Sequence, residues 1–361
     1  MGRGLGSRTI SEDDLLCRPE PFSAAILPFI LAGNSCVRVT DPMKVLVTGA
    51  AGFLGSYLCR RMVEEGHGVR ALMRPTSDFS HLRSLPIERH VGDVTDFNSV
   101  ASAVCGQDWV IHAAAVITGE TTHQTKVNVE GTRHIARACR EAGVRRLVHV
   151  SSVAAVGIPN SFTQPADENF QFNLENCGLS YHVSKYWAER AVIEEVMRGI
   201  DAVIVNPAEI KGPYRREYRG SEIIRAIRRA PVVPYFTGGL CVVHVQDVVQ
   251  GIVAALNRGK SGERYILGGE NLTFKALGQS AASAMHLRRV FVPLPSFATS
   301  IAAMVFDPWA RLRGRQPWIS RATRSYGSRY RFYDSGKARR ELGYAPRDFH
   351  AILDECLCFD S

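Results

Sequence analysis

Met43-Lys-Val-Leu-Val-Thr-Gly49-Ala-Ala-Gly52-Phe-Leu-Gly55 is a short apolar run, rich in Val, that leads into a glycine turn. Past the turn, Ser56 to Gly66 carries apolar residues at helical spacing and closes on a glycine. The reading is strand, tight turn, helix. Glycines at such a turn let the backbone approach a pyrophosphate, which rests on amide N–H groups at the positive end of the helix. Gly49, Gly52, Phe53, Leu54 and Gly55 are therefore the candidate seat for a dinucleotide. The spacing is G-x-x-G-x-x-G rather than the commoner G-x-G-x-x-G, and three glycines alone mark only a Gly-rich βα turn. The strand before them and the helix after them point to nucleotide binding.

Working outward, the alternation continues. Strands are predicted at Gly68–Arg74, Pro86–Val91, Trp109–Ala115, Arg146–Ser151 and Ala202–Asn206. Helices are predicted at Phe97–Cys105, Thr125–Ala142 and Tyr181–Arg198. Apolar runs alternating with amphipathic helices mean βαβ units and a parallel sheet covered on both faces. The fold class is α/β: a doubly wound, Rossmann-type parallel sheet over residues 43–206, with contributions from about 240–258. A smaller, partly interleaved C-terminal domain over 207–361 is expected to bind substrate. From Ala208 the alternation stops. Lys211-Gly-Pro-Tyr opens what reads as an irregular basic stretch before a helix at Glu222–Arg229, and residues 290–340 are rich in Pro, aromatics and Arg.

Residues 1–42 look foreign to the rest. Phe22–Ala32 is apolar but too short to span a bilayer, and Pro28 breaks it. Glu12, Asp13 and Asp14 spoil a signal peptide. The expectation is a disordered leader or a start-site artefact, with translation beginning at Met43.

The chain has 361 residues and a net charge of +9, with 45% apolar and 22% charged residues, as in an ordinary globular protein. Its arginines are scattered, with modest clusters at 215–229 and 311–331 and no nucleic-acid fold signature. Nucleic acid and stable membrane insertion are set aside as partners. Nine dispersed cysteines without a C-x-x-C suggest a reduced, cytoplasmic protein without zinc or another metal.

An NAD-preferring site carries Asp or Glu at the end of the second strand to bind the adenosine ribose. Here Arg74 stands in that region, followed by Thr76 and Ser77. A guanidinium suits a 2′-phosphate. NADP(H) is therefore favoured, with NAD left open; an exposed loop Arg is the alternative. Asp93 and Val94 follow the third strand, where the carboxylate can accept from an adenine amino group or cap the turn. Ala113, Ala114 and Ala115 end the fourth strand, where bulk would block a cofactor; close helix packing would explain them too.

Tyr181 and Lys185 lie four residues apart on one helix and share a face. An ammonium beside a phenol stabilises phenolate and lowers its pKa, which suits tyrosine to acid–base work near neutral pH. Tyr333 and Lys337 have the same spacing but lie in the irregular tail, and are read as structural.

The chain resembles the extended short-chain dehydrogenases/reductases of the NAD-dependent epimerase/dehydratase type. The resemblance covers Met43 onward and rests on motifs in a fixed order. They are Gly49-x-x-Gly52-x-x-Gly55, Asp93-Val-Thr-Asp96, His112-Ala-Ala-Ala115, Asn128-Val-x-Gly131-Thr, Ser151-Ser152, Tyr181-x-x-x-Lys185 and Asn206-Pro207 with Gly212-Pro213. Met73-Arg-Pro-Thr-Ser77, Leu267–Thr273 and Ser335–Tyr344 are similar to dihydroflavonol-reductase-like members. The resemblance implies that Ser152 hydrogen-bonds a substrate oxygen and that Tyr181 is the general acid or base. Lys185 would bind the nicotinamide ribose and tune Tyr181, and Asn128 would support that helix or a water relay. Asn206 and Pro207 would end a strand beside the nicotinamide. Lys211, where relatives carry an apolar residue, is read as exposed.

The leading function is an NADP(H)-dependent reduction of a carbonyl, or oxidation of an alcohol, of a small organic substrate. A rival is a nucleotide-sugar epimerase or dehydratase on retained NAD, with Arg215, Arg216 and Arg225 gripping the diphosphate. Arg74 and His182 argue against that rival. A non-catalytic NADP sensor is a third reading, which the Tyr/Lys pair disfavours. The helices at 125–142 and 181–198 offer a homodimer interface.

Overall fold

A computed structural model of the chain describes residues 41–159, 161–215, 217–294 and 328–359. The predicted leader, the Arg cluster from 311 and Arg216 thus lie almost wholly outside the described residues.

The chain begins β1 (Lys44–Thr48), α1 (Phe53–Glu64), β2 (Gly68–Met73), β3 (Ile87–Val91), α2 (Phe97–Val104) and β4 (Trp109–His112). A short helix α3 (Thr121–Gln124) and a π turn (Thr125–Glu130) lead into α4 (Gly131–Glu141), so the predicted single helix is three segments in line. Then come β5 (Arg146–Val150), α5 (Ser180–Val196) and β6 (Ala202–Pro207). With β11 (Arg264–Leu267) these strands form one sheet in the order β11-β6-β5-β4-β1-β2-β3, every pairing parallel. This is the doubly wound order, in which the chain reverses direction across the sheet between β1 and β4. A ligand crevice opens at the carboxyl ends of those strands.

Alternation along each strand divides the core. Val45 and Val47 of β1 face α1 and a later helix, α7 (Val245–Arg258), against Leu58, Met62, Val248 and Ile252. Leu46 between them faces α2, α4 and α5, against Val100, Ile135 and Val192. Each such side chain, fully buried, contributes about 1.5–3 kcal/mol, so a sheet covered twice needs little further support.

The stretch after Ala208 differs from the irregular one expected. Glu209–Tyr214 is a strand, β7, and Glu217–Arg219 pairs back on it as β8. Gly212 and Pro213 hid the strand, but β10 (Gly239–His244) supplies a parallel partner at Val242–His244 from far along the chain. β12 (Glu270–Thr273) completes the order β12-β10-β7-β8, and β14 (Tyr330–Arg331) pairs β10. Between them lie α6 (Ser221–Arg229) and β9 (Val232–Phe236), and beyond them α8 (Phe274–Ala284) and β13 (Val290–Leu294), which pairs β9. Two C-terminal helices, α9 (Gly336–Leu342) and α10 (Phe349–Phe359), end the described chain. Among the described residues no helix is long and apolar enough to cross a membrane.

Candidate active site

The glycine turn sits at the sheet's crevice. Gly49 has φ +68, a left-handed conformation, and a Cβ there would lie 2.8 Å from the Ala113 carbonyl oxygen. A Cβ at Gly55 would overlap the Gly49 carbonyl, so only hydrogen lets the helix start pack on the turn. α1 has no side-chain N-cap and no acidic residue in its first turn. Its leading N–H groups, those of Phe53 and Leu54 among them, have no intrahelical acceptor. The turn therefore offers an anion its amides and the positive end of the helix, which fits a dinucleotide pyrophosphate.

Beside the turn lies a cavity of about 660 Å³. Gly49, Gly52, Arg74, Asp93, Val94, Ala113, Ala114 and Ala115 all line it, so the structure brings these predicted residues together. Asp93 is also the turn cap that the sequence left open: its Oδ1 accepts from the Thr95 N–H and hydroxyl, both at 2.9 Å. His123 and Lys126 line the same cavity, and sequence reasoning missed them because they lie on α3 and the π turn, far along the chain from Arg74. The alanine segment is held from below. Thr48 Oγ1 accepts from the Ala114 N–H at 3.2 Å and pairs with His112 Nδ1 at 2.7 Å. Burial keeps His112 neutral, pushed down to about 3.

A second cavity, of about 500 Å³, begins where the first ends, at Ile117 after Val116. Ser152 and Tyr181 line it, with Ile117, Leu179, Leu240, Glu209 and Arg331. The Ser152 hydroxyl lies beside the Tyr181 phenol. Burial pushes that phenol up to about 12, with the Glu209 carboxylate adding to the rise and the Ser152 hydroxyl opposing it. The spacing of Tyr181 and Lys185 predicted a lowered phenol; the structure differs because desolvation outweighs any help from the ammonium. Lys185 is itself buried, donates to the Val150 carbonyl at 2.9 Å, and is pushed down to about 8 by burial, with Glu189 opposing.

Lys185, Asn128, Asn206 and Pro207 lie behind the cavity walls rather than on them. Asn128, on the π turn, donates to Val116 O and Ser184 Oγ, both at 2.9 Å, and accepts from the Val116 N–H at 2.8 Å. It thereby fixes the boundary of the two cavities to α5. Asn206 donates to the Ser152 carbonyl at 2.9 Å and to Glu189 Oε1 at 2.6 Å. Glu189, missed by the sequence, is a buried carboxylate whose pKa burial raises, opposed by Arg264 across 3.3 Å.

Other expectations resolve here. Tyr333 lines the second cavity but donates to the Gly157 carbonyl at 2.8 Å, and Lys337 pairs with Glu263. Lys211 is half-buried and paired with Glu209 at 3.3 Å, not exposed. Arg215 is ion-paired with Asp78 at 2.9 Å. Neither Arg215 nor Arg225 lines the cavity of Tyr181, as a grip on a substrate diphosphate would require.

Residues 45–268 match the model of the NAD dependent epimerase/dehydratase family. A Synechocystis sp. protein provisionally named dihydroflavonol 4-reductase is 34% identical over 306 residues, which cover 82% of this chain and 88% of that one. Sterol demethylase protein B of Methylococcus capsulatus is 34% identical over 328 residues, 88% of this chain and 98% of its own. The crystal structure of gox2253 is 35% identical, with a TM-score of 0.73, covering 87% of this chain and 97% of that one.

Proposed function

The chain belongs to the NAD-dependent epimerase/dehydratase family and is an NAD(P)-dependent oxidoreductase, and on that premise we propose that it is an NADP(H)-dependent carbonyl reductase. The substrate would be a small, largely apolar ketone or aldehyde, and the reverse reaction an alcohol oxidation. The observation that carries this is the second cavity: Ser152 and Tyr181 look into a space walled by Ile117, Leu179 and Leu240. Glu209 on its wall opposes a diphosphate, and neither Arg215 nor Arg225 lines it, Arg331 being the arginine that does.

The bound nicotinamide would supply the hydride. Tyr181 would supply the proton. A phenol pushed up to about 12 stays protonated at neutral pH, which is the state a general acid needs for reduction. Ser152, on the same cavity as that phenol, would hold the carbonyl oxygen in line with it. Lys185 would serve the nicotinamide ribose, and Asn206 and Asn128 would position Ser152 and α5. Arg74, with His123 and Lys126 on the same cavity, supports preference for a 2′-phosphate.

Anaerobic purification with mass spectrometry of any carried nucleotide tests this reading. Exchangeable NADPH, consumed with ketones, is expected. Tightly retained NAD together with interconversion of UDP-sugars would refute it. Trp187 on α5 is 49% exposed, which supports a homodimer across α4 and α5; a monomer at high concentration by sedimentation would refute that.

A further inference from the structure

A third cavity, of about 190 Å³, lies within the second sheet's own apolar core. Ile223, Val242, Phe274, Leu277 and Ile352 are among its walls. The cavity opens to solvent, and Lys211, Arg219 and Glu222 line it beside the apolar residues. Leu240 lines this cavity and also the cavity of Ser152 and Tyr181.

Strand register places residues of both cavities on one face, while Cys241, which also lines the Tyr181 cavity, lies on the other. Glu209 is paired with Val242, and His244 with Lys211. Directly paired residues point to the same side, and residues two apart on a strand do so too. Glu209, Lys211, Leu240 and Val242 therefore stand on one face of the sheet. Glu209 and Leu240 line the Tyr181 cavity; Lys211, Leu240 and Val242 line the third. The Glu209–Lys211 ion pair runs along β7 on that face, with Glu209 across from Val242 and Lys211 across from His244. Leu240 is thus common to the two linings, with the phenol of Tyr181 in one and a mainly apolar well in the other.

We propose that the third cavity is a tail subsite of the active site, so that the preferred substrate is a carbonyl compound carrying a flexible aliphatic chain. The carbonyl meets Ser152 and Tyr181, and the chain passes Leu240 into the well. The inference rests on the carbonyl-reductase reading and adds the substrate's shape to it. A rigid polar substrate such as a sugar would leave the well unfilled.

The test uses 2-alkanones from butan-2-one to undecan-2-one with NADPH. Burying one methylene is worth about 0.8 kcal/mol, or about fourfold in kcat/KM. A rise approaching fourfold per carbon, levelling off once the well is full, is expected. Ile223→Trp fills the well, and the ratio of long-chain to butan-2-one turnover should then fall by at least tenfold. Leu277→Phe is the second variant should the first misfold by circular dichroism. Saturation-transfer NMR with octan-2-one reads binding independently of chemistry. Octan-2-one binding that Ile223→Trp abolishes, without turnover of any ketone, would uphold the subsite and sink the reductase reading. Turnover indifferent to chain length, octan-2-one binding equal in both proteins, or no octan-2-one binding at all would overturn the subsite.

Discussion

Asn206 Nδ2 donates to the carbonyl oxygen of Ser152 across 2.9 Å, joining the end of β6 to the loop that carries the Ser152 hydroxyl. The same amide holds Glu189 Oε1 at 2.6 Å, so a buried carboxylate on α5, the strand end and the serine loop form one unit. Ser152 is thereby positioned by residues that never touch the cavity.

Asn206→Ala should loosen that unit. The prediction is a fall in kcat of at least tenfold with a smaller change in ketone KM, because the substrate-facing groups remain but are misplaced. An unchanged kcat would show that Ser152 is held by its own loop. The loss of stability should be about 1–3 kcal/mol, since Glu189 loses a donor in a buried place; denaturant titration reads it.

Gly55→Ala adds a Cβ onto the Gly49 carbonyl, so the turn must open. Nucleotide affinity should fall by more than tenfold for NADPH and NADH alike. Isothermal titration showing wild-type affinity would mean that the turn is not where the pyrophosphate lies.

Arg74→Ala should weaken NADPH binding by about 1.5–3 kcal/mol, the worth of one charged hydrogen-bonded contact, and leave NADH nearly unchanged. A wild type that binds both equally would make Arg74 a bystander. His123 and Lys126, on the same cavity, are the next residues to test in that event.

Lys185 gives a pH signature. Burial depresses its folded pKa from 10.5 to about 8. Below about pH 8 both folded and unfolded chains carry the ammonium, and the fold bears the full cost of burying it. Between about pH 8 and 10.5 the folded chain sheds that proton first, the unfolded state binds more protons, and stability rises with pH. Wild type should therefore gain stability relative to Lys185→Met across that window. A difference in Tm that stays flat from pH 7 to 10 would show that Lys185 is not desolvated.

Much of this was legible in the sequence because it is local. The glycine turn, the βαβ alternation and the Tyr181–Lys185 spacing each lie within a few residues, and periodicity reads them directly. The cavity linings at Arg74, Asp93 and Ala113–Ala115 followed because they sit at strand ends, where a parallel sheet must open. What stayed hidden is set by distant pairing. β7 was masked by Gly212 and Pro213 and exists because β10 pairs with it. Lys211 read as exposed because its partner Glu209 matters only once both lie on one strand face. Glu189 carries no local signal in the sequence; Arg264 and Asn206 make it a buried anchor. His149, fully buried with neither ring nitrogen partnered among the described residues, has no role that either the sequence or the structure explains.

Tyr181 is expected to deliver the proton in an NADPH-dependent carbonyl reduction. Transfer of deuterium from NADPH doubly deuterated at C4 into octan-2-ol, followed by mass spectrometry, reads the hydride step, and its rate in Tyr181→Phe reads the dependence on the proton donor. Wild type should place one deuterium in each alcohol formed, and Tyr181→Phe should do so about 10²–10⁴-fold more slowly with NADPH affinity nearly intact. Tyr333→Phe should stay active although Tyr333 lines the same cavity, because its phenol is committed to the Gly157 carbonyl. Wild-type deuterium transfer by Tyr181→Phe would contradict the account.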